Sequence, residues 1–509
     1  MSMKKINSEI LSLALPSILA NITVPLVGMV DIAVAGNLNS DSAPLIGGIA
    51  IGSMLFDLLY WNFAFLRVST GGLTAQAYGK ADFEEVMKIF IRAVGIALVS
   101  ALGLIAIHRL FVGAAFLVVD ASAQVRELAS LYFNIRIWAA PATLALMAFK
   151  GWFIGMQDSL SAMITDIVVN GVNIAASIIL AMGLPSLGYE GMGFRGIAAG
   201  TVLAQYSGLL TAVLLCAIRY RRQFSLLRGL DLKAVFKGGE TRKFFVMNAD
   251  LVVRSLCFIG IYIGFTTISA GFGDLLLATG SIMMKLLLLF SYFTDGFAYA
   301  GEAMTGKYIG AGDKAGLRAT VNWTFIWSMG IAVAFVFIYM VGGRWMLGLM
   351  TSDRAVLEVA SGFLPWLLLM PLVGCPAFTW DGIYIGATAS REMRNSTLWA
   401  VLAFFAVYYI GIFIQSFFPP TTLPSFDPST SLSFPDAFPP VPSLDPSTSI
   451  PSPDSYTPNS SISPSASHPA PTGCPLSPET IKMHILMAAY FAHLLARTLY
   501  LTLLRRKIL

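Results

Sequence analysis

Long apolar stretches recur along the whole chain and are separated by shorter polar segments. Four of these stretches hold about 20 residues without a charge, the length that a helix needs to cross the hydrocarbon core of a bilayer. They run from Ile167 to Tyr189, from Gly196 to Ile218, from Ala319 to Gly343 and from Asn395 to Phe417. Their length and apolar character predict transmembrane helices.

Eight further segments are mostly apolar but carry a few polar or charged residues: 10–35, 44–68, 88–110, 127–156, 250–272, 275–303, 357–386 and 481–504. With them the pattern predicts an all-α integral membrane fold of twelve transmembrane helices. The composition agrees, because 56% of the 509 residues are hydrophobic and only 12% are charged, whereas a soluble domain carries about a quarter charged residues. The first segment keeps Pro16 and Pro25 and has no small-residue cleavage site, so we interpret it as the first helix and not as a signal peptide.

Basic residues concentrate in every second loop between the predicted helices, and the largest group lies midway along the chain. They are Lys4, Lys5, Lys80, Lys88, Arg219, Arg221, Arg222, Arg228, Lys233, Lys237, Arg242, Lys243, Lys307, Lys314, Arg318, Arg391, Arg394, Arg505, Arg506 and Lys507. Loops rich in Lys and Arg face the cytoplasm. We therefore expect both termini in the cytoplasm of a multi-pass protein in a bacterial-type inner membrane. The net charge of +5 then reflects topology, and no nucleic-acid partner is expected.

The two halves of the chain repeat the same motifs at one spacing. Gly79-Lys-Ala-Asp82 matches Gly310-Ala-Gly-Asp313, and Gly151-Trp-Phe-Ile-Gly155 matches Gly382-Ile-Tyr-Ile-Gly386, both at an offset of 231 residues. Because each half has six helices, an even number, the two halves share one orientation and form a parallel repeat about an axis along the membrane normal. A substrate would then bind between two six-helix lobes.

The repeat divides the chain into an N lobe, a linker and a C lobe. We assign residues 1–218 to the N lobe, 219–243 to a basic cytoplasmic linker and 244–509 to the C lobe. The segment 418–480, between the last two helices, is rich in Pro, Ser, Thr and Asp and cannot bury a core. We expect it to be a disordered extracytoplasmic insertion, either without function or serving as a binding or glycosylated stalk.

Motifs for nucleotides, metals and catalysis are absent or incomplete. The segment Gly301–Tyr308 has the glycine and lysine spacing of a phosphate-binding loop. Such a loop requires Ser or Thr at its last position, where this chain has Tyr308, and it must follow a strand, so this segment is excluded as a nucleotide site. The cysteines have no paired or metal-ligand spacing; they are Cys216, Cys257, Cys375 and Cys474. We expect no metal, no cofactor and no enzymatic activity, with transport driven by an ion gradient or by a separate partner.

Asp31, late in the first predicted helix, is the main candidate for coupling to protons. A charge left in lipid is costly and usually faces a cavity or a partner. Pro16 and Pro25 free backbone carbonyls and permit bending, and burial favours the neutral form of a carboxyl group. These are the properties that a proton carrier needs. Because Gly36 and Asn37 follow closely, the alternative is a helix cap or a group at the outer interface.

Asp295 is a second ionisable residue inside an apolar segment, the eighth predicted helix. It is interpreted as a candidate cation or substrate site, or as a structural ion-pair partner of Lys285 or Arg254. Glu302 follows seven residues later, on the same helix face. We expect Glu302 to act in gating or capping near the cytoplasmic end.

Four further polar residues are candidates for the site. Asp250 and Asp381 are C-lobe carboxylates that are predicted to bind a cation or the substrate. Asn170 and Asn173 share a face of the fifth helix. They are interpreted as hydrogen-bond partners of a protonated Asp31, or as polar groups that join helices.

Aromatic residues of the N lobe are candidates for the wall of a cavity: Tyr60, Trp61, Phe63 and Phe153. Ring faces suit the binding of flat, cationic or apolar compounds. The alternative is packing against lipid or at the interface.

Four stretches, spread over both halves, carry a likeness to a known family. They are Glu9–Pro16 leading to Val24–Asp31, Phe65–Gly71 through Ala75–Gly79, Gly151–Gln157 and Thr294–Glu302. With them the chain resembles the multidrug and toxic compound extrusion (MATE) transporters, and within these the DinF-like branch. The resemblance covers essentially all of the chain except 418–480.

The resemblance implies a V-shaped cavity between the two bundles and export of organic compounds in exchange for protons or sodium. It also implies that Asp31, at the motif position of the family's coupling aspartate, carries the proton. Many relatives place an acidic residue four positions after the asparagine that matches Asn173, but this chain has Ser177, which leaves Asp31 to titrate largely alone. Some sodium-coupled relatives use C-lobe acids, so Asp250 and Asp381 keep that alternative open.

We therefore predict a proton-coupled antiporter that exports small organic compounds, cationic or amphipathic, and acts as a monomer in the lipid bilayer. A sodium-coupled exporter is one alternative. A flippase for a lipid-linked precursor is another, and it would require a cavity lined by several cations. The membrane-embedded cations are few: Arg67, Arg136, Arg254 and Lys285. A membrane enzyme lacks any paired His, Cys or Ser constellation suited to catalysis.

Overall fold

The fold of the described residues is built from helices, without a strand. The computed structural model describes residues 3–508 except 39–42, 118, 120, 185, 187, 226–234, 237–238, 352 and 418–476. Within these residues, twelve helices are long and apolar enough to cross a membrane. This confirms the predicted all-α integral membrane fold and its number of spans.

We number the spans α1–α12 in chain order. The N lobe consists of α1 (Met3–Gly36), α2 (two segments, Ala43–Trp61 and Phe65–Gly79), α3 (Phe83–Ala115), α4 (two segments, Ala123–Arg136 and Ala140–Gly155), α5 (Ser159–Met182) and α6 (Phe194–Arg219). The C lobe consists of α7 (Gly239–Ala270), α8 (Asp274–Ala311), α9 (Lys314–Met350), α10 (Leu364–Gly386), α11 (Ser390–Phe417) and α12 (Pro478–Leu504). Two short helices, Arg221–Ser225 and Arg354–Gly362, follow α6 and precede α10.

The fifth helix does not coincide with the uncharged run Ile167–Tyr189 that predicted it. It begins eight residues earlier, at Ser159, and ends before Gly183. Gly183 has a φ of 84°, a conformation that favours glycine. The chain then turns back, since the Leu184 N–H donates to the Tyr189 carbonyl oxygen at 2.7 Å. The predicted boundary was wrong because hydropathy records apolar character and not backbone conformation.

The insertion predicted at 418–480 is described only in its last four residues. Residues 418–476 lie outside the described residues, and so do positions 226–234 and 237–238 of the predicted linker. Residues 478–480 already belong to α12, where the Ser477 hydroxyl accepts a hydrogen bond from the Thr480 N–H at 3.2 Å. The C-terminal boundary of the insertion is therefore earlier than predicted.

The repeat at an offset of 231 residues extends to backbone conformation. Four residues that form two pairs at this offset have positive φ: Ala81 (57°) with Gly312 (70°), and Gln157 (62°) with Thr388 (53°). Asp82 and Asp313, a third pair, each cap the following helix through a side-chain oxygen that accepts a backbone N–H. The two halves thus fold alike, as the predicted parallel repeat requires.

The motif glycines permit close helix contacts within each lobe. A Cβ at Gly151 of α4 would lie 2.3 Å from the Arg67 carbonyl oxygen of α2. At the equivalent place in the C lobe, a Cβ at Gly382 of α10 would lie 2.1 Å from the Ala298 carbonyl oxygen of α8. Only glycine allows backbones to approach so closely.

Two further glycines make the same contact between the lobes. A Cβ at Gly79 would lie 2.0 Å from the Lys307 carbonyl oxygen, and a Cβ at Gly310 would lie 2.1 Å from the Gln76 carbonyl oxygen. Gly79 and Gly310 are repeat equivalents, and Gln76 and Lys307 are equivalents too. The contact therefore occurs twice about the pseudo-two-fold axis between the lobes.

Both described chain ends lie on one face of the bundle because an even number of spans alternates in direction; we call it the terminal face. Near this face one buried hydrophobic cluster includes residues of both lobes, among them Ile6, Val68, Met304, Trp380 and Ile385. Toward the opposite face the N and C lobes have separate clusters. The lobes are therefore joined at the terminal face and diverge toward the opposite face.

We predict that alanine at Gly79 or Gly310 destabilises the protein, because each added Cβ meets a backbone carbonyl of the other lobe that no rotamer change can move. Overpacking of this kind costs about 1–3 kcal/mol. Gly330→Ala, on the exposed face of α9 with nothing within 4 Å of the added Cβ, is the matched control and gains helix propensity. Thermal unfolding of the purified variants measures the effect. Equal unfolding temperatures for all three would contradict it.

Candidate functional site

Asp31 lies in the buried interior of the N lobe, six residues after Pro25. Its side chain is 5% exposed, and its Oδ1 atom has no hydrogen-bond partner among the described residues. The Ser177 hydroxyl of α5 and the Arg136 guanidinium of α4 are its polar neighbours. No cation lies within 4 Å of the carboxylate in the described part of the chain. This placement differs from a helix cap, the alternative interpretation.

The two asparagines of α5 bond to other helices and not to Asp31. The Asn170 amide donates to the Thr23 hydroxyl of α1 at 2.5 Å, and the Asn173 amide donates to the Thr201 hydroxyl of α6 at 3.0 Å. They therefore join helices, which was the alternative interpretation. The group that faces Asp31 from α5 is Ser177.

Arg136 is an N-lobe cation to which the sequence assigned no partner. It donates to the Tyr132 hydroxyl at 3.1 Å and lies 4.8 Å from the centre of the Phe56 ring. No carboxylate lies within 4 Å of it among the described residues, but both Asp31 and Asp57 are close enough to interact with its charge. The arginine thus supplies a positive charge beside the candidate proton carrier.

Two of the three candidate carboxylates of the C lobe accept hydrogen bonds from arginines. Asp250 accepts hydrogen bonds from Arg394 at 2.6 Å and from the Ser390 hydroxyl at 2.8 Å, which joins α7 to α11. Asp381 accepts from Arg254 at 2.6 Å and also from Arg497. Because both carboxylates pair with arginines, their geometry gives no support to the prediction that they bind a further cation.

Asp295 lines a cavity of about 170 Å³ between the lobes. The walls come from α2, α7, α8 and α10 and consist of Arg67, Val68, Arg254, Asp295, Ala298, Tyr299, Glu302, Phe378, Asp381, Gly382 and Ile385. Neither predicted ion pair of Asp295 forms, since Lys285 is exposed and Arg254 bonds to Asp381. Among the described residues no cation lies within 4 Å of Asp295. The alternative interpretation, a structural ion pair with Lys285 or Arg254, is therefore wrong.

Glu302 forms an ion pair with Arg67 across the lobes, at 3.0 Å between Oε2 and Nη1. The Glu302 side chain is 0% exposed, and the Arg67 side chain is 15% exposed. The guanidinium also lies 4.6 Å from the centre of the Tyr299 ring. Glu302 is thus not a helix cap. We call this contact the inter-lobe ion pair; the gating role of Glu302 stays a prediction.

The four aromatic candidates occupy different environments. Trp61 is 43% exposed and meets Tyr262 of the C lobe edge to face, with ring centroids 5.7 Å apart. Tyr60 and Phe63 are half-buried and pack on the N-lobe core. Phe153 is fully buried against Trp152 and other rings of the core. The prediction that Phe153 lines a cavity was wrong, because helix rotation turns it into the lobe.

We predict that Glu302→Gln loosens the closed terminal face, since it leaves the Arg67 charge without a counterpart. Removal of one partner of a buried ion pair costs about 3–5 kcal/mol. Spin labels at Lys80→Cys and Lys314→Cys, exposed positions on the two lobes, report the separation, and longer distances are expected in the variant.

The matched control is Glu84→Gln, which removes a surface ion pair with Lys88 that contributes little. An unchanged distance distribution in Glu302→Gln, equal to that of the control, would show that the inter-lobe ion pair does not hold the face closed.

Comparison with known proteins places the chain in a family. The MatE family model matches residues 16–179 and 251–410, so the two matches end 231 residues apart. DNA damage-inducible protein F of Escherichia coli K12 is 36% identical over 400 residues, which cover 77% of this chain and 83% of that protein. A probable multidrug resistance protein NorM of Thermotoga maritima is 22% identical over 358 residues, covering 70% and 75%.

Solved structures share the fold. A MATE crystal structure in complex with MaL6 superimposes with a TM-score of 0.75 at 14% identity, covering 99% of this chain and 96% of that one. An outward-facing MATE family transporter has a TM-score of 0.69 at 17% identity, covering 80% and 88%. With the family model matching over half of its length, the chain belongs to the MatE family, the multidrug and toxic compound extrusion transporters, and is a membrane transporter and not an enzyme.

Proposed function

We propose that this transporter exports cationic or amphipathic organic compounds in exchange for protons, and that Asp31 carries the proton. The observation that supports this most directly is the state of the Asp31 carboxylate. It is buried, one oxygen has no hydrogen-bond partner, and no cation pairs with it among the described residues. Such a carboxylate favours protonation when it is cut off from water and ionisation when water reaches it.

The helix that carries Asp31 also contacts the C lobe, which links protonation to the arrangement of the lobes. The Asn21 amide of α1 donates to the Tyr292 carbonyl oxygen of α8 at 3.3 Å. A Cβ at Gly296 of α8 would lie 2.3 Å from the Ile18 side chain. Pro25 lies between these contacts and Asp31 and removes a backbone hydrogen bond. A change of charge at Asp31 that bends α1 would therefore alter the packing between the lobes.

The charge of the Asp31 carboxylate would couple the movement of the proton to that of the substrate. Loss of the proton leaves a negative carboxylate in a low-dielectric interior, where a cationic substrate group offsets the charge. A proton and a cationic group would then occupy the N lobe in alternation. Each stabilises the same carboxylate, so binding of one favours release of the other.

The sodium alternative receives no support from the two residues that motivated it. A hard cation requires several free oxygen ligands, whereas Asp250 and Asp381 accept hydrogen bonds from arginines. The flippase alternative required a cavity dominated by cations. Arg67 and Arg254 line the cavity, but each is paired with a carboxylate.

We also propose the topology, the membrane and the oligomeric state of the transporter. The terminal face carries the basic loops, so we assign it to the cytoplasm, in a bacterial-type inner membrane. The transporter would act as a monomer with both termini inside. The name of the Thermotoga maritima relative, a probable multidrug resistance protein, agrees with organic compounds as substrates.

We predict that Asp31→Asn abolishes proton-driven transport of a fluorescent organic cation in inverted vesicles, because the amide cannot exchange the proton. Asp274→Asn, the same change at an exposed position in the first turn of α8, should retain full activity. Both variants should insert into the membrane and unfold at the same temperature, so that a difference between them reflects transport activity and not folding. Wild-type transport by Asp31→Asn would disprove its role as carrier.

The coupling ion is tested with wild-type protein. Vesicles with a pH gradient and no sodium should transport the cation, and vesicles with a sodium gradient at equal pH should not. The reverse result would establish the sodium-coupled alternative.

A further inference from the structure

The cavity lined by Asp295 contains charges of both signs that the protein's own ion pairs leave unbalanced. Arg254, on the cavity wall, and Arg497 of α12, which is not part of that wall, both donate to the same oxygen of Asp381. Two cations therefore share one carboxylate and leave a surplus positive charge. Asp295 has no cation within 4 Å among the described residues. The inter-lobe ion pair adds no net charge.

Hydrogen-bonding groups in these ion pairs are also unused. The Nε atom of Arg254 has no hydrogen-bond partner among the described residues, and neither has Oδ1 of Asp381. Buried polar atoms are normally paired, and unpaired ones call for an explanation. Both residues line the cavity, so a ligand or ordered water there would supply these partners.

A zwitterion matches this arrangement better than an ion of one sign. An ammonium group would offset Asp295 but leave the arginine surplus, and a carboxylate alone would leave Asp295. A molecule with both groups offsets both charges without changing the net charge of the interior, which keeps the electrostatic cost low.

We propose that this cavity binds the zwitterionic head group of a small α-amino-acid-like compound, with its ammonium on Asp295 and its carboxylate on Arg254. The inference goes beyond the proposed function, because it assigns a second class of ligand to a second site in the same transporter. It differs from that function in the residues it uses, none of which is Asp31.

The size and walls of the cavity fit such a head group. A volume of about 170 Å³ equals about five or six water molecules at roughly 30 Å³ each, the scale of a small amino acid. The rings of Tyr299 and Phe378 and the side chain of Val68 supply apolar surface for a short side chain.

The position of the cavity suits a transported ligand. Arg67 and Val68 come from the N lobe, and the other lining residues come from the C lobe. A movement of one lobe against the other therefore changes the cavity itself. A ligand bound there has different affinities for the two arrangements of the lobes. A ligand needs such a difference in affinity to shift the equilibrium between them.

The test is equilibrium binding to the full chain in nanodiscs at neutral pH, measured by calorimetry. Three probes share one carbon skeleton: L-valine carries both charges, L-valinol only the ammonium, and 2-hydroxy-3-methylbutanoate only the carboxylate. Valine should bind at least about tenfold more tightly than either analogue, the scale of one charge-assisted hydrogen bond. The proposal would be overturned if valinol bound as tightly as valine, or if none of the three probes bound.

A variant tests the assigned orientation. Asp295→Asn should weaken valine binding to the level of the hydroxy acid and leave the hydroxy acid unchanged. Asp274→Asn, the same substitution at the exposed start of α8, should leave all three probes unchanged. Undiminished valine binding by Asp295→Asn would overturn the orientation.

Binding at equilibrium needs no ion gradient, so this test is separate from that of proton coupling. If Asp31→Asn keeps proton-driven transport while valine binds, only the proposed coupling fails. If proton coupling depends on Asp31 but valine does not bind, only the present inference fails.

Discussion

A charged side chain within a bilayer must find its counterpart inside the protein, and this requirement organises both lobes. Lys150 and Asp166, 2.5 Å apart, join α4 to α5, and Asp381 joins α7, α10 and α12 through two arginines. The inter-lobe ion pair applies the same rule between the lobes. Against this background Asp31, Arg136 and Asp295 differ, since none has an oppositely charged partner within 4 Å in the described part of the chain. They are the charges that packing alone does not explain.

The inter-lobe ion pair lies at the contact between the two repeated halves. The equivalent of Glu302 in the N lobe is Gly71, and a Cβ at Gly71 would lie 1.9 Å from Glu302 Oε1. A carboxylate on both sides would therefore not fit, and the repeat must be asymmetric at its own axis. Asp31 is asymmetric as well, because the same offset brings it to Tyr262, which contacts Trp61 across the cleft. The duplication supplies a symmetric scaffold, whereas Glu302 and Asp31 have no acidic equivalent in the other half.

Much of the scaffold could be predicted from the sequence, because lipid acts on the composition of whole segments of about 20 residues. The number of spans follows from the composition of such segments, and the parallel repeat follows from motifs that recur at one offset. Details that depend on backbone turns could not be predicted, as the end of α5 at Gly183 shows. Nor could pairings between helices far apart in sequence. Arg394 was interpreted as a loop marker of topology, yet it binds Asp250, and Phe153 is turned into the core by a helix rotation that hydropathy does not record.

A single proton carrier, as proposed for Asp31, limits what the transporter can achieve. With Asp31 as the sole carrier, one proton enters for each substrate molecule that leaves. For a substrate with a single positive charge, such an exchange moves no net charge, so the membrane voltage does no work on it. The concentration ratio across the membrane is then bounded by the pH difference alone, about tenfold for each pH unit. A cell that relies on this protein would export such compounds well only while its surroundings stay more acidic than its interior.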